Sequence, residues 1–279
     1  MAEPLATRAH LRQVRRMADF VPVERIDGAP ESGVLLICDH ASAALPQDYD
    51  TLGLGAAAFA RHIAYDIGAA AITRRLAAQL HAPAILSTFS RLLIDPNRGA
   101  DDPTLVMRLS DGALIPGNAH IDEAEIDRRR ECCWRPYRDA IARQIDAMLA
   151  SGVTPAIVSI HSFTPVWKGA ARPWHVGVLW DCDARLARPL IDALSAKGDL
   201  VVGDNEPYDG ALEGDTMHDL GTMRGLPHVL IEIRQDLIND DAGQDEWAAR
   251  LATELRPILA EPGLHRREFH PTRTRAPRP

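Results

Sequence analysis

Two of the most apolar stretches in this chain each run into a histidine. Gly33-Val34-Leu35-Leu36-Ile37-Cys38 leads into Asp39-His40-Ala41-Ser42, and Ala156-Ile157-Val158-Ser159-Ile160 leads into His161-Ser162-Phe163-Thr164-Pro165. Taken singly, a histidine in such a place is more often a hydrogen-bonded structural residue than a ligand. Taken together, imidazoles at the ends of two buried strands suit a divalent metal such as Zn²⁺, which accepts nitrogen ligands and keeps an open position in catalytic sites. A third ligand would be a carboxylate, and neither H-x-x-E nor H-E-x-x-H is present, since the residue three beyond His40 is Ala43. Asp66 stands among apolar residues in Arg61-His62-Ile63-Ala64-Tyr65-Asp66-Ile67-Gly68-Ala69. It is either that ligand or a cap at the start of a helix, where an acidic side chain also suits the dipole. His62, one predicted helical turn earlier, is a supporting partner, a substrate contact or a packed residue.

Two further clusters carry charge into apolar surroundings. In Ser90-Arg91-Leu92-Leu93-Ile94-Asp95-Pro96-Asn97-Arg98, two arginines flank an apolar run and the second follows an Asp-Pro-Asn turn. The planar guanidinium of Arg98, with Asn97 beside it and Arg91 nearby, matches a substrate carboxylate with paired hydrogen bonds. The alternative is structural: Arg91 pairs with Asp95 and Arg98 caps a turn. Glu232 lies inside Val229-Leu230-Ile231-Glu232-Ile233, where an unpaired charge is costly. It is either the general base beside a metal-activated water or the partner of an arginine.

These residues need a scaffold that brings distant segments together. Strands are predicted at 33–38, 83–87, 91–94, 156–160, 175–180, 200–202 and 229–233. Helical periods alternate with them at 56–80, 122–149 (broken or restarted at Pro136), 183–197, 212–224 and 244–260. Such alternation argues for an α/β sheet covered by helices on both faces, and open sheets of this kind bind ligands beyond the carboxyl ends of their strands. Residues 30–262 form the expected single domain, preceded by an arm or leading helix over 1–29. The tail, 263–279, is basic and has little to bury, so it is expected to lack structure. Segment 99–120 is the longest irregular stretch and is expected to act as a lid.

Composition narrows the partners. Lysine and arginine number 31 against 39 acidic residues, a formal net charge of −8 in 279 residues. That balance argues against nucleic acid and anionic membranes as partners. No apolar run is long enough for a transmembrane helix, and the first twenty residues have no apolar core of a secretory signal. The expected location is cytoplasmic. The four cysteines lack C-x-x-C spacing, so they are read as packing residues rather than as a disulfide or metal framework.

The blocks Asp39-His40-Ala41-Ser42, His62-Ile63-Ala64-Tyr65-Asp66-Ile67-Gly68-Ala69, Ser90 to Arg98, His161-Ser162-Phe163-Thr164-Pro165 and Ile231-Glu232-Ile233-Arg234-Gln235-Asp236 together resemble the N-formylglutamate amidohydrolase family, in order over about 35–240. That family groups with zinc carboxypeptidases and aspartoacylases. The resemblance implies a three-layer α/β fold with a mixed, mostly parallel sheet of about eight strands flanked by helices. It also implies a mononuclear zinc hydrolase cutting the amide of a small N-acyl amino acid such as N-formyl-L-glutamate. His40 and His161 match the family's metal histidines, Asn97 and Arg98 its carboxylate-holding pair, and Glu232 its catalytic glutamate. Carboxypeptidases take their second ligand from H-x-x-E, whereas this chain has His40-Ala41-Ser42-Ala43. Asp66 is therefore the expected third ligand. Two alternatives remain: a zinc peptidase or aspartoacylase-like enzyme on another N-acyl amino acid, and a non-catalytic anion-binding member of the fold.

Overall fold

The computed structural model describes residues 19–275. Its centre is a seven-stranded sheet in the order β1-β3-β2-β6-β11-β9-β10. These are β1 (Val23–Ile26), β2 (Val34–Cys38), β3 (Ala84–Ser87), β6 (Ala156–Phe163), β9 (Val176–Leu179), β10 (Val202–Asp204) and β11 (His228–Arg234). Two small hairpins, β4–β5 (Leu109–Ser110, Ala113–Leu114) and β7–β8 (Val166–Trp167, Ala170–Ala171), lie outside it. Strands β3, β2, β6 and β11 run parallel, β1 is antiparallel to β3, β9 is antiparallel to β11, and β10 is parallel to β9. The all-apolar β2, wholly buried, is what a central parallel strand covered on both faces requires.

Alternation along the strands sorts the side chains between two cores. Val158 and Ile160 of β6 and Val229, Ile231 and Ile233 of β11 face one core. Helices α1 (Ala69–Leu80), α4 (Ala184–Ser195) and α6 (Asp241–Leu259) cover that face with Ile72, Leu76, Leu190, Trp247, Leu251 and Leu255. Ile157 and Leu230 face the other core, which α3 (Arg135–Ala150) fills with Tyr137, Ile141, Ile145 and Met148. By the same period of two, His161 and Glu232 project to this second face. The predicted helix over 122–149 is α2 (Glu123–Arg129), a π-helical turn and α3 in succession, with Pro136 in the first turn of α3 as a proline can be.

Several expectations are corrected. The sheet is mixed and mostly parallel as the resemblance implies, with seven strands where about eight are expected. Residues 91–94 are a buried turn rather than a strand: the Ser90 hydroxyl accepts from the Leu92 N–H and donates to the Ala64 carbonyl, and Arg91 folds back onto Asp95. Residues 56–68 form a 3-10 turn (Ala56–Ala60) and further turns, not a helix. Gly68 precedes α1 with a φ of 82°, a left-handed conformation open to glycine. The arm predicted over 1–29 contributes β1 to the sheet edge, while its arginine-rich segment 8–16 lies outside the described residues. The tail is tied down as far as 275. Leu264 is buried, the Glu268 N–H donates to the Gly225 carbonyl, and Arg273 reaches Asp181 and Asp209. Polar anchoring substitutes there for the missing apolar surface. The four cysteines are unpaired, and among the described residues no helix is long and apolar enough to cross a membrane.

Candidate metal centre and active site

The carboxyl end of β2 delivers Asp39 and His40, and the Asp66 N–H donates to the His40 carbonyl at 2.9 Å, which holds the turn against the strand end. β6 delivers His161. The His40 and His161 rings meet edge to face with centroids 4.9 Å apart. Both Nδ1 atoms face one carboxylate oxygen, Asp66 Oδ2, at 3.3 Å from His40 and 2.8 Å from His161. Ligand atoms of His40, Asp66 and His161 all lie within 4.8 Å of one another, and all three residues are buried. Asp66 does not cap α1, whose first turn has no side-chain cap.

The far side of each ring is held as well. His40 Nε2 lies 2.7 Å from Asp95 Oδ1, and His161 Nε2 lies 2.9 Å from Asp39 Oδ2. A proton on each Nε2, donated to its carboxylate, leaves the Nδ1 lone pairs directed at the space beside Asp66, which is how ligating histidines are oriented. Asp39 is in turn fixed by the hydroxyls of Thr216 (2.7 Å) and Ser159 (2.9 Å), and Asp95 by both Nε and Nη2 of Arg91. Burial works against ionised Asp39, Asp66 and Asp95. Even so, the imidazoles, with Arg91 for Asp95, hold all three below the usual carboxylate range. Burial likewise opposes charge on His161, yet Asp39 and Asp66 hold it well above the usual histidine range. Three carboxylates around two imidazoles make a cation-seeking cluster. Two imidazole nitrogens and a carboxylate oxygen are the ligand types of catalytic zinc, and three protein ligands leave a position open.

A cavity of about 440 Å³ opens beside this cluster and is also bordered by Arg91, Asn97, Arg98 and Glu232. Glu232 pairs with His161 in the parallel β6–β11 register and with Gly177 of β9 on its other side. Its Oε2 is buried without a partner, no ion pair holds it among the described residues, and burial pushes its carboxyl up to about 7. Gly177 has no room for a side chain, because a Cβ there would lie 1.9 Å from the Glu206 carbonyl oxygen. That close approach brings the segment carrying Tyr208 and Asp209 down as a cavity wall, and Arg273 of the tail braces it through Asp209.

The three predicted anion-binding residues differ in their freedom. Arg91 is engaged by Asp95 and lies 3.5 Å from Asp66. Asn97 accepts the Thr216 N–H on its side-chain oxygen. Arg98 donates to the Thr104 hydroxyl and the Asn97 carbonyl, with no carboxylate partner among the described residues. His62 shares no helix face with Asp66. It borders the cavity 3.6 Å from Asp111 and edge-on to Trp167. Met107, Ser110 and Asp111 of the expected lid segment also border the cavity. The supporting roles of Asp39 and Asp95 were not read from the sequence, although an aspartate beside a strand-end histidine was the available signal. Trp180, Tyr208, Asp215 and Met217 were missed, since nothing in their spacing marks them.

Asp215, at the start of α5 (Thr216–Leu220), accepts the His218 N–H at 2.7 Å. Burial pushes its carboxyl up to about 7. The native state therefore keeps a proton that the unfolded chain releases near pH 4. The stabilisation is complete below that range and is lost as pH rises through about 7. Asp215→Asn keeps an oxygen cap and removes the titration. Its stability advantage in thermal melts should grow between pH 5 and pH 8, by up to about 1.4 kcal/mol per pH unit. A difference independent of pH would contradict this reading.

The model of the family described as N-formylglutamate amidohydrolase matches residues 32–239. Among solved structures, gene product Atu2144 from Agrobacterium tumefaciens is 37% identical, covering 87% of this chain and 96% of that one, with a TM-score of 0.82. N-formylglutamate amidohydrolase from Ralstonia eutropha JMP134 is 18% identical over 86% of this chain and 97% of that one, with a TM-score of 0.63, a likeness of fold. No curated protein matches this chain significantly.

Proposed function

The chain belongs to the N-formylglutamate amidohydrolase family, and from that membership we propose that it hydrolyses the amide of a small N-acyl amino acid with a single zinc ion held by His40, Asp66 and His161. As a member of the family it is an amidohydrolase acting on non-peptide carbon–nitrogen bonds of a small molecule. The observation that carries the finer reading is the convergence of the three ligand atoms within 4.8 Å of one another, on the same cavity as a buried glutamate with an unpartnered oxygen.

Zinc bound there would supply Lewis acidity to the acyl oxygen and acidify a water. The chain's own residues do the rest. Glu232 takes the proton of the attacking water on its free oxygen and returns it to the departing amine nitrogen. A carboxyl near 7 suits both halves of that task at neutral pH. Asp39 and Asp95 keep both imidazoles turned toward Asp66. Arg98, whose guanidinium has no carboxylate of its own among the described residues, receives the substrate carboxylate and so places the amide, with Asn97 beside it and Arg91 holding Asp95. Positioning of this kind contributes several kcal/mol to lowering the barrier.

The test is release of the free acid and amine from N-acyl amino acids by the zinc-loaded protein, compared with the same compounds carrying an amidated carboxyl. Arg98→Ala should raise KM for the free acids by about 10–100-fold, the worth of a charged hydrogen-bonded pair, and leave the amidated compounds nearly unchanged. Equal losses on both would remove Arg98 as the anchor. No hydrolysis of any N-acyl amino acid at stoichiometric zinc would overturn the proposal itself.

A further inference from the structure

The cavity continues past Glu232. On the same face of β11 the next two side chains back along the strand are Leu230 and His228, and both border the cavity. Leu230 lies opposite Leu179 of β9 in the antiparallel register, and Met217 of α5 and Leu212 complete the wall. Leu179, Leu230 and Met217 are only 4%, 6% and 3% exposed, so the surface they retain is turned into the cavity. At about 3.3 Å per residue, this arm extends roughly 13 Å from Glu232 to His228. His228 closes it with both ring nitrogens occupied, by the Leu226 carbonyl at 2.8 Å and the Thr222 hydroxyl at 3.1 Å.

The charges of the cavity sharpen what the arm can hold. Among the described residues that border it, the arginines are Arg91 and Arg98 and there is no lysine. Arg91 is already spent on Asp95 and Asp66, which leaves Arg98 for one substrate carboxylate. Two further guanidinia lie near the wall without bordering the cavity: Arg172 stacks on Phe163, Trp167 and Tyr208, and Arg138 is taken by Asp219 and the Pro96 and Asp215 carbonyls. A dicarboxylate would place its second carboxylate against Leu179, Leu230 and Met217, close to Asp215, and an unpaired buried carboxylate is strongly disfavoured.

We propose, resting on the amidohydrolase reading above, that the preferred substrate is an N-acyl amino acid with one carboxylate and one extended apolar group, aliphatic or aromatic, seated between Leu179, Met217 and Leu230. The group belongs either to the amino-acid side chain or to the acyl chain, since both are attached to the amide beside Glu232.

The experiment compares kcat/KM of the zinc-loaded protein for N-formyl-L-leucine, N-formyl-L-phenylalanine and N-hexanoylglycine with that for N-formyl-L-glutamate. At least one apolar compound should exceed the glutamate by about 10–200-fold, the range a hydrophobic pocket discriminates. The better of the formyl amino acids and the hexanoyl compound identifies which end of the substrate fills the arm. Leu230→Lys should erase or reverse the preference. Binding of the same compounds to zinc-loaded Glu232→Gln, followed through the fluorescence of Trp180 on the cavity wall, provides a readout independent of turnover. If nothing is hydrolysed but an apolar compound binds more tightly than N-formyl-L-glutamate, the hydrolase reading fails and the apolar arm stands. If the glutamate compound is hydrolysed and bound as well as the apolar ones, or no apolar compound binds, the arm proposal is overturned.

Discussion

Glu232→Gln is expected to lower kcat by about 10²–10⁴-fold, the contribution of a positioned general base, while the protein keeps one equivalent of metal. The two side chains are nearly isosteric, and Glu232 is not among the three residues whose ligand atoms converge. Its Oε2 has no partner to lose, and β11 holds the residue in register with His161 whichever side chain it carries. Because burial pushes the wild-type carboxyl up to about 7, ionising it costs native stability as pH rises through that value. The glutamine variant should therefore melt higher than wild type above pH 7 while turning over far more slowly. Metal analysis, thermal melts and initial rates on the same preparation separate the possibilities. A variant with normal kcat removes Glu232 as the base, and one that loses metal would make it a ligand.

His161→Ala is expected to lose both metal and activity. It removes one of the three ligand atoms and leaves Asp39 and Asp66 facing each other with their shared partner gone. Stripping one partner from a buried charged group costs about 3–5 kcal/mol, so the variant should also melt well below wild type. Asp95→Asn gives a graded control, because it keeps all three ligands while weakening what steadies His40 from behind and the pairing with Arg91. It should weaken zinc by about 10–100-fold, the usual effect of losing such a partner. Competition against a chelator of known affinity measures both. Wild-type zinc affinity in His161→Ala would exclude this site.

Much of the scaffold could be read along the chain because burial leaves a local trace. The apolar runs that form β2, β6 and β11 are continuous in sequence, and the stripe Tyr137, Ile141, Ile145 repeats every four residues on α3. Residues 91–94 show the limit of that rule. Leu92, Leu93 and Ile94 are fully buried, yet burial alone does not say strand, and the Ser90 hydroxyl that holds the turn does so by bonding to Ala64, 26 residues earlier in the chain. The tail shows the converse, since few apolar residues did not prevent order where Asp181 and Asp209 offered partners for Arg273.

The chemical types at the site, two histidines at strand ends with a carboxylate and a glutamate in apolar surroundings, are properties of the chain, because charged and imidazole groups stand out where neighbours are apolar. Which atoms face one another is not. That Nδ1 rather than Nε2 of both rings turns toward Asp66, that Thr216 comes to fix Asp39, and that an apolar arm continues beyond Leu230 depend on segments distant in sequence meeting, 26 residues apart for His40 and Asp66 and 177 for Asp39 and Thr216. Distances of that kind arise only when the sheet register and the packing of loops over it are set, so the tertiary structure decided them.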